Sequence, residues 1–218
     1  MGAAVRVRRE AATPRPDGDL VDLRFRTLLP EADWNALPAA VRSRFSKRLA
    51  HGATVVYRGD VVTVEAHPLG RLFAHAARLI GGPLPLVFEP GASVVTVTED
   101  AVGQGQVWSR MYVRPGGFPQ VIHSAKRFAG RTGLEEHIGA GIGIALKVAV
   151  EDHALVFRSA FYFANLFGLR LHLPGWMAPG ALTIAHRDLG EGRFAFTLAL
   201  DHPLFGRLLA QDAIFHDA

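Results

Sequence analysis

Nine short runs of strand-forming residues follow one another from residue 84 onward, with no long helical interval between them. Gly, Pro and Asp separate the runs, as is typical of turns between antiparallel strands. The runs are SVVTVTE, QVWSRMYV, QVIHSAKRF, LEEHIG, IGIALKVAV, ALVFRSAFYF, LRLHL, ALTIAHRDL and RFAFTLAL. Because parallel strands need crossover helices, a parallel doubly wound sheet is excluded. The pattern predicts an α+β fold, mainly β: a strongly curved antiparallel sheet or barrel of eight to ten strands with two N-terminal helices.

The helix signals lie in the first part of the chain. Pro38 suits a first helical turn and Gly52 suits a helix end. Between them, apolar residues recur at helical spacing, namely Val41, Phe45 and Leu49. A second helix is predicted at PLGRLFAHAARLIGG, where two glycines end an apolar stripe. Between the two helices, ATVVYRGDVVTVEAH predicts a hairpin that turns at Arg58–Gly59–Asp60.

Composition limits the partners and the compartment. Residues 1–19 are charged, contain proline and lack periodicity, so we expect a flexible tail there and a single β-rich domain at residues 20–218. The chain has no cysteine, which excludes disulfides and thiolate chemistry and fits a cytoplasmic location. No apolar run approaches the roughly 20 residues of a membrane-spanning helix. The net charge is +4, but the basic residues are interspersed with acidic ones and form no long block, which argues against a nucleic-acid partner.

Several short motifs together resemble a known family. They are VTED, WSRMYVR, GFPQVIHSAKRFAGRTGLEEHIGAGIGIAL, LPGWMAPG and HPLFGRLLAQDAIFHD. This set is similar to a bacterial family catalogued as domain of unknown function number four-one-six-six, over roughly residues 24–217. The resemblance implies one domain of about this size, which in some relatives follows an NAD(P)-binding domain of the saccharopine-dehydrogenase type. The chain itself has no G-x-G-x-x-G between a strand and a helix, because Ile144 stands where the third glycine would be.

Two neighbouring strand runs combine aromatic and charged side chains on one face. Alternation places four residues of QVWSRMYV together: Gln106, Trp108, Arg110 and Tyr112. On QVIHSAKRF, the corresponding face includes Ser124 and Lys126. One register sets these residues opposite one another as Tyr112–Ile122, Arg110–Ser124 and Trp108–Lys126. A different slip would bring His123 or Arg127 to this place instead.

This face has two interpretations. It is either a positively charged, aromatic-walled pocket for an anionic or carbonyl-bearing ligand, or a solvated outer surface. The ligand-binding candidates are Trp108, Arg110, Tyr112, His123, Ser124 and Lys126. In the pocket interpretation, a carboxylate must accompany the buried cations, because an unpaired buried charge is costly.

The candidate catalytic residues are Glu135, Glu136 and Tyr162. Adjacent strand residues point to opposite faces, so only one of the two glutamates can enter a pocket. That glutamate would balance Arg110 or Lys126, or act as a base if burial raised its pKa. Tyr162 would donate a hydrogen bond. The alternative for the glutamates is a cross-strand ion pair.

The remaining motifs are weaker. Gly139, Gly141 and Gly143 predict a strand with one bare face, at which the sheet bends or another group packs. In FRSAFYF, alternation predicts a core stripe of Phe157, Phe161 and Phe163, or alternatively a ligand cavity lined by the same rings. The scattered histidines form no H-x-x-x-H pair, and we predict no metal site and no cofactor; the alternative is a two-His, one-carboxylate site of His123, Glu135 and His137.

Two functional hypotheses follow. The first is a small-molecule pocket domain, either a binder or a cofactor-free enzyme such as an isomerase, cyclase or hydrolase, in which Arg110 and Lys126 hold an anionic group. The second is a non-catalytic interaction module that docks onto an enzyme partner. Homodimerisation is also open.

Overall fold

The computed structural model describes residues 21–50 and 53–217, and within these ranges the chain is mainly β. The expected tail at residues 1–19 and the expected helix end at Gly52 lie outside the described residues. The α-helices are α1 (Glu31–Ala36), α2 (Ala39–Ser46) and α3 (Pro68–Ala76), with short 3-10 helices at Arg26–Leu28, Ala77–Ile80 and Gly175–Met177. The strands are β1 (Thr54–Ala66), β2 (Gly91–Asp100), β3 (Gly105–Tyr112), β4 (Gln120–Arg127), β5 (Leu134–Gly139), β6 (Ile142–Glu151), β7 (Ala154–Leu166), β8 (Leu169–His172), β9 (Ala181–Gly190), β10 (Arg193–His202) and β11 (Gly206–His216).

The strands form one antiparallel sheet that closes on itself. Their order is β6-β5-β4-β3-β2-β1-β11-β10-β9-β7-β8, and the additional pairing of β6 with β7 closes a ten-stranded barrel, with β8 attached to the end of β7. This confirms the predicted mainly β fold with helices near the N-terminus. Closure leaves the barrel wall without free strand edges, apart from the short β8 extension.

Strand β1 corrects the predicted hairpin at residues 53–67. The chain does not turn at Arg58–Gly59–Asp60 but continues as one strand that pairs with β2 on one side and β11 on the other. Gly59 lies against the neighbouring backbone, since a Cβ there would be 1.9 Å from the carbonyl oxygen of Ile214. The glycine is therefore needed for close packing of two strands, a role that sequence alone does not distinguish from a turn.

The three glycines at 139, 141 and 143 also differ from the prediction of one bare strand face. Gly139 ends β5 and Gly141 lies in the following turn, both with positive φ. Only Gly143 lies within a strand, where the ring of Phe163 packs directly on its Cα. This stretch is therefore a turn and one aromatic contact.

A β-bulge in β7 divides the predicted phenylalanine stripe between the two faces of the barrel wall. Ala145 pairs with Phe161 and Leu146 with Ser159, so Ala160 has no partner. The inserted residue reverses the alternation. Phe157 therefore points into the barrel and contacts the core, whereas Phe163 packs on the outer surface beneath Arg170.

The N-terminal segment closes one end of the barrel. Phe25 is fully buried and packs edge to face with Phe45 of α2, Phe128 and Phe157, at centroid distances of 5.1, 4.9 and 6.2 Å. Arg44 of α2 pairs with Asp188 at 2.9 Å and with Asp217 at 2.7 Å. We call this the closed end; it also carries the turns at residues 101–104, 128–133, 152–153 and 191–192.

The opposite end carries longer connections and is called the open end. It includes the turns at residues 113–119, 139–141, 167–168 and 203–205 and the connections at residues 67–90 and 173–180. Helix α3 and the 3-10 helix at Ala77–Ile80 confirm the second predicted helix, which ends at Gly81 in a left-handed conformation. Gly70 holds α3 against β11, because a Cβ there would lie 2.0 Å from the carbonyl oxygen of Leu208.

Candidate functional site

Strands β3 and β4 pair with the predicted side chains on one shared face, but their register differs from the predicted one. Trp108 pairs with Ser124, Arg110 with Ile122 and Tyr112 with Gln120, two residues away from the predicted pairing. A slip of two keeps every side chain on its face, so the same polar groups still face the interior. The contacts become diagonal: the Nη2 of Arg110 donates to Ser124 Oγ at 3.0 Å, and Lys126 Nζ lies 4.9 Å from the centroid of the Trp108 ring.

Two cations and one carboxylate meet inside the barrel. The Nζ of Lys126 lies 3.2 Å from Glu136 Oε2, and the Nη2 of Arg110 lies 3.6 Å from Glu136 Oε1. Glu136 is 2 % exposed and Lys126 is 5 % exposed. With Lys126 protonated, the three groups carry one positive charge in excess, in an environment where uncompensated charge is expensive.

The pKa values of the cluster follow from this arrangement. Burial alone would raise the pKa of the Glu136 carboxyl, but the charges of Lys126 and Arg110 and a hydrogen bond from Ser124 lower it to about 2. Burial lowers the pKa of Lys126, and the charge of Glu136 opposes that change. Glu136 is therefore ionised at neutral pH and is a poor proton acceptor there.

Several buried polar atoms around the cluster have no hydrogen-bond partner among the described residues. They include Arg110 Nε, Gln211 Nε2 and Glu136 Oε2. The Lys126 contact with Glu136 Oε2 has the distance of an ion pair without the angles of a hydrogen bond. Gln211 is 6 % exposed, and its Oε1 accepts from the Tyr112 hydroxyl at 3.2 Å. Buried polar groups are nearly always satisfied, so the two free donors mark a place for an acceptor.

An apolar cavity of about 350 Å³ lies above the cluster, toward the open end. Arg110 and Glu136 are the two charged residues in its lining. The remaining wall is mainly apolar and includes Leu84, Ile138, Ile144, Leu182, Leu198 and Leu200. Arg110 also lines a smaller cavity of about 60 Å³ together with Trp108, Lys126 and Gln211. Arg110 therefore lies between the two cavities, and the smaller one contains the additional polar groups of Lys126 and Gln211.

Two of the sequence candidates lie away from this site. His123 is on the outer face of β4, where its Nδ1 is 2.8 Å from the Ser109 hydroxyl. Glu135 also points outward and is buried beneath β8, with Oε1 2.5 Å from Arg170 Nη2 and Oε2 3.3 Å from His137 Nε2. Strand alternation explains both positions, because each residue is next in sequence to one that points inward.

Tyr162 enters the cavity wall, but its hydroxyl is already engaged. It donates to the carbonyl oxygen of Gly180 at 3.0 Å. Burial raises its pKa to about 12, and the Glu136 charge adds to the rise. Tyr162 thus holds the residue 173–180 connection in place and stays protonated near neutral pH.

One important interior group, Gln211, was not predicted from the sequence. Gln211 lies on β11, a strand absent from the nine predicted runs, although LLAQDAIF does alternate. The core position predicted for Phe157 is confirmed, and its ring also lies 5.8 Å from Lys126 Nζ. Only closure of the barrel brings β7 and β11 to the same interior as β3.

Two other kinds of site are not observed in the part of the chain that the structure describes. No group of three or more His, Asp or Glu side chains is arranged there to hold a metal ion. No helix in residues 21–50 or 53–217 is long and apolar enough to cross a membrane.

The fold and this site define a class: a closed antiparallel β-barrel with a buried cationic cluster beneath an apolar cavity. Within that class the chain belongs to a family described as "Domain of unknown function (DUF4166)", whose sequence model matches residues 37–215. No curated protein and no solved structure gives a significant match to the chain.

Proposed function

We propose that the protein binds an amphipathic small molecule, with an anionic or carbonyl-bearing head beside Arg110 and an apolar part in the cavity. The observation that carries the proposal is Arg110, a cation with a free Nε donor in the lining of an otherwise apolar chamber, next to a smaller cavity lined by Gln211 with its own free donor. A bound anion would offset the positive charge and accept a hydrogen bond from Arg110, and a carbonyl oxygen would accept the hydrogen bond alone. The cavity volume lies within the usual range for small-ligand sites.

The protonation states favour binding over acid–base catalysis. Glu136, with a pKa of about 2, stays ionised, and Tyr162, with a pKa of about 12, stays protonated. A proton-transfer group works best when its pKa is close to the working pH. A cofactor-free isomerase, cyclase or hydrolase at this site would therefore depend on electrostatic stabilisation by Arg110 and Lys126 alone.

The test is equilibrium binding of a dansyl-labelled fatty acid, with oleate and uncharged dodecane as competitors. We expect oleate to displace the probe and dodecane to compete weakly. Arg110→Gln should weaken oleate binding by about tenfold or more, equivalent to at least about 1.4 kcal/mol. Leu198→Trp, which fills the cavity, should abolish probe binding while circular dichroism shows an unchanged fold.

Arg158→Gln is the matched control. Arg158 is half-exposed on β7, pairs with Glu151 and does not line the cavity. Its variant should bind the probe like the wild type. Failure of the wild type to bind the probe, or unchanged oleate affinity in Arg110→Gln, would reject the proposed ligand class.

The interaction-module alternative has one observation in its favour, which is a set of large apolar side chains exposed at the open end. Two of these side chains, Leu79 and Met177, also line the cavity of about 350 Å³, whereas a module that serves only to dock would have no need of a cavity. The cavity therefore favours the ligand-binding function, and the exposed surface has its own explanation below.

A further inference from the structure

The open end of the barrel carries an unusual concentration of exposed apolar side chains. We call this set the apolar rim. It consists of Leu72, Leu79, Phe118, Phe167, Leu169, Trp176, Met177, Leu204 and Phe205. They come from four separate segments: the β1–β2 connection, the β3–β4 turn, the β7–β9 region with β8, and the β10–β11 turn. Phe167 is fully exposed and Trp176 is 82 % exposed, so these rings do not pack on the protein itself.

The closed end has a different character. This end has turns at residues 101–104, 128–133, 152–153 and 191–192. In these turns of the described structure, Val102 is the one large apolar side chain that is largely exposed. The N-terminal segment covers this end and has two exposed apolar side chains, Val21 and Leu23, against nine in the apolar rim. Scattered apolar residues on a surface are normal, whereas a cluster confined to one end marks an interaction surface.

The charges at the open end are mainly positive. Residues 67–83, 113–119, 166–180 and 203–207 contain five arginines and no Asp or Glu. Two of the five are neutralised locally, since Arg170 pairs with Glu135 and Arg207 pairs with Asp201. Arg71, Arg78 and Arg114 are exposed and form no ion pair with a described carboxylate. Glu89, at the end of the β1–β2 connection, is the one exposed acidic residue of residues 67–90.

The apolar rim is continuous with the cavity. Leu79 and Met177 belong to the rim and also line the cavity of about 350 Å³. If another apolar surface covered the rim, a ligand could pass from that surface into the cavity without exposing its apolar part to water.

From these observations we propose that the open end docks on a lipid bilayer rich in anionic headgroups and that the cavity is loaded from that bilayer. This proposal extends the amphipathic ligand proposed above and rests on it for the loading step. Aromatic and aliphatic side chains on separate loop tips insert among fluid acyl chains without a complementary solid surface. Unpaired arginines near them are attracted to anionic headgroups. A protein partner seated on the rim would instead cover the entrance of the cavity.

Trp176 provides a direct readout of docking. The chain has three tryptophans, and Trp34 and Trp108 are buried, so a change in exposed-tryptophan fluorescence reports on Trp176. The experiment titrates the full chain with vesicles of phosphatidylcholine alone or of phosphatidylcholine with phosphatidylserine. We expect a blue shift of emission and co-sedimentation with the phosphatidylserine vesicles, both weakened by high salt.

Three variants separate the contributions of the apolar side chains and of the arginines to vesicle binding. Phe118→Ser with Phe167→Ser should reduce vesicle binding by about tenfold or more, since both rings lose their insertion. Arg78→Gln with Arg114→Gln should reduce it by about fivefold for each arginine, and only on anionic vesicles. Val102→Ser is the matched control, because Val102 is 95 % exposed at the closed end, and its vesicle binding should equal that of the wild type.

Docking and ligand binding fail in distinguishable ways. Arg110→Gln should dock normally but lose affinity for oleate, and the double phenylalanine variant should bind oleate in solution but not vesicles. Equal vesicle binding by the Val102 and phenylalanine variants, or none by the wild type, would overturn the docking proposal. So would a wild-type dimer in analytical ultracentrifugation that the phenylalanine variant dissociates, because a second copy would then cover the rim.

Discussion

At the scale of single residues, Glu136 is the group on which the interior charge depends. It is the carboxylate that faces Arg110 and Lys126 at once. Removing one member of a buried ionic cluster costs about 3–5 kcal/mol, because the remaining charges are left without compensation. The stability of the protein should therefore be sensitive to this side chain and to its protonation.

We predict that Glu136→Gln lowers the free energy of unfolding at pH 7 by about 3 kcal/mol. Because the folded pKa is about 2, below the ordinary value of 4.5, the carboxylate stabilises the fold above about pH 4.5. That contribution is lost as the pH falls from about 4.5 through 2. The stability difference between wild type and variant should thus narrow over this range, measured by urea denaturation at several pH values.

The control for this prediction is Glu151→Gln. Glu151 pairs with Arg158 on the outer surface, where both side chains are largely exposed. Such pairs contribute at most about 1 kcal/mol, so this variant should stay close to the wild type at neutral pH. A Glu136→Gln variant that matched it would show that the interior cluster does not stabilise the fold.

At the scale of secondary-structure elements, β1 is the strand that makes the closed barrel continuous. It pairs with β2 over residues 54–61 and with β11 over residues 58–66. The chain can pass so close to β11 at residue 59 only because glycine has no side chain there. This position joins the first and last strands of the barrel.

We predict that Gly59→Ala destabilises the fold by at least about 2 kcal/mol, because the new methyl group would overlap the backbone of Ile214. Gly91→Ala is the control, since a Cβ at Gly91, the first residue of β2, meets nothing within 4 Å. Thermal denaturation followed by circular dichroism compares the two. Similar melting temperatures for both variants would contradict the strand path described for β1.

Strands β3, β4 and β7 show which structural features can be predicted from side-chain alternation and which cannot. Alternation correctly placed Trp108 and Arg110 on one face, because the pleat repeats every two residues. It missed the register by two residues, since a slip of two preserves the pattern of faces. It also missed the bulge at Ala160, which arises from how β6 and β7 pair and has no local signal in FRSAFYF.

At the scale of the whole molecule, the two ends of the barrel differ in how they are covered. The N-terminal segment closes one end through Phe25 and Arg44, and α3 with the residue 173–180 connection leaves the other end open to the cavity. A ligand that enters from the open end reaches Arg110 before it meets the aromatic cluster of the closed end. This polarity is the structural basis of both proposals.

We predict that Phe25→Ala lowers stability by about 3–5 kcal/mol, because it leaves a large cavity among Phe45, Phe128 and Phe157. Phe118→Ala removes a ring of the same size from the apolar rim, where it is exposed, and should leave stability nearly unchanged. Urea denaturation of both variants measures the difference. Equal stability of the two would mean that the N-terminal segment does not close the barrel as described.

The sequence by itself determined the fold class, the positions of most strands, the end of the second helix and the face shared by Trp108, Arg110 and Lys126. These features follow from local rules: side-chain alternation, turn residues and helix-ending glycines. Only the tertiary structure decided that β6 pairs with β7, that Glu136 and not Glu135 points inward, and that Gln211 joins the site. Those outcomes depend on pairing between strands far apart in the chain, and many such pairings satisfy the same alternating pattern equally well.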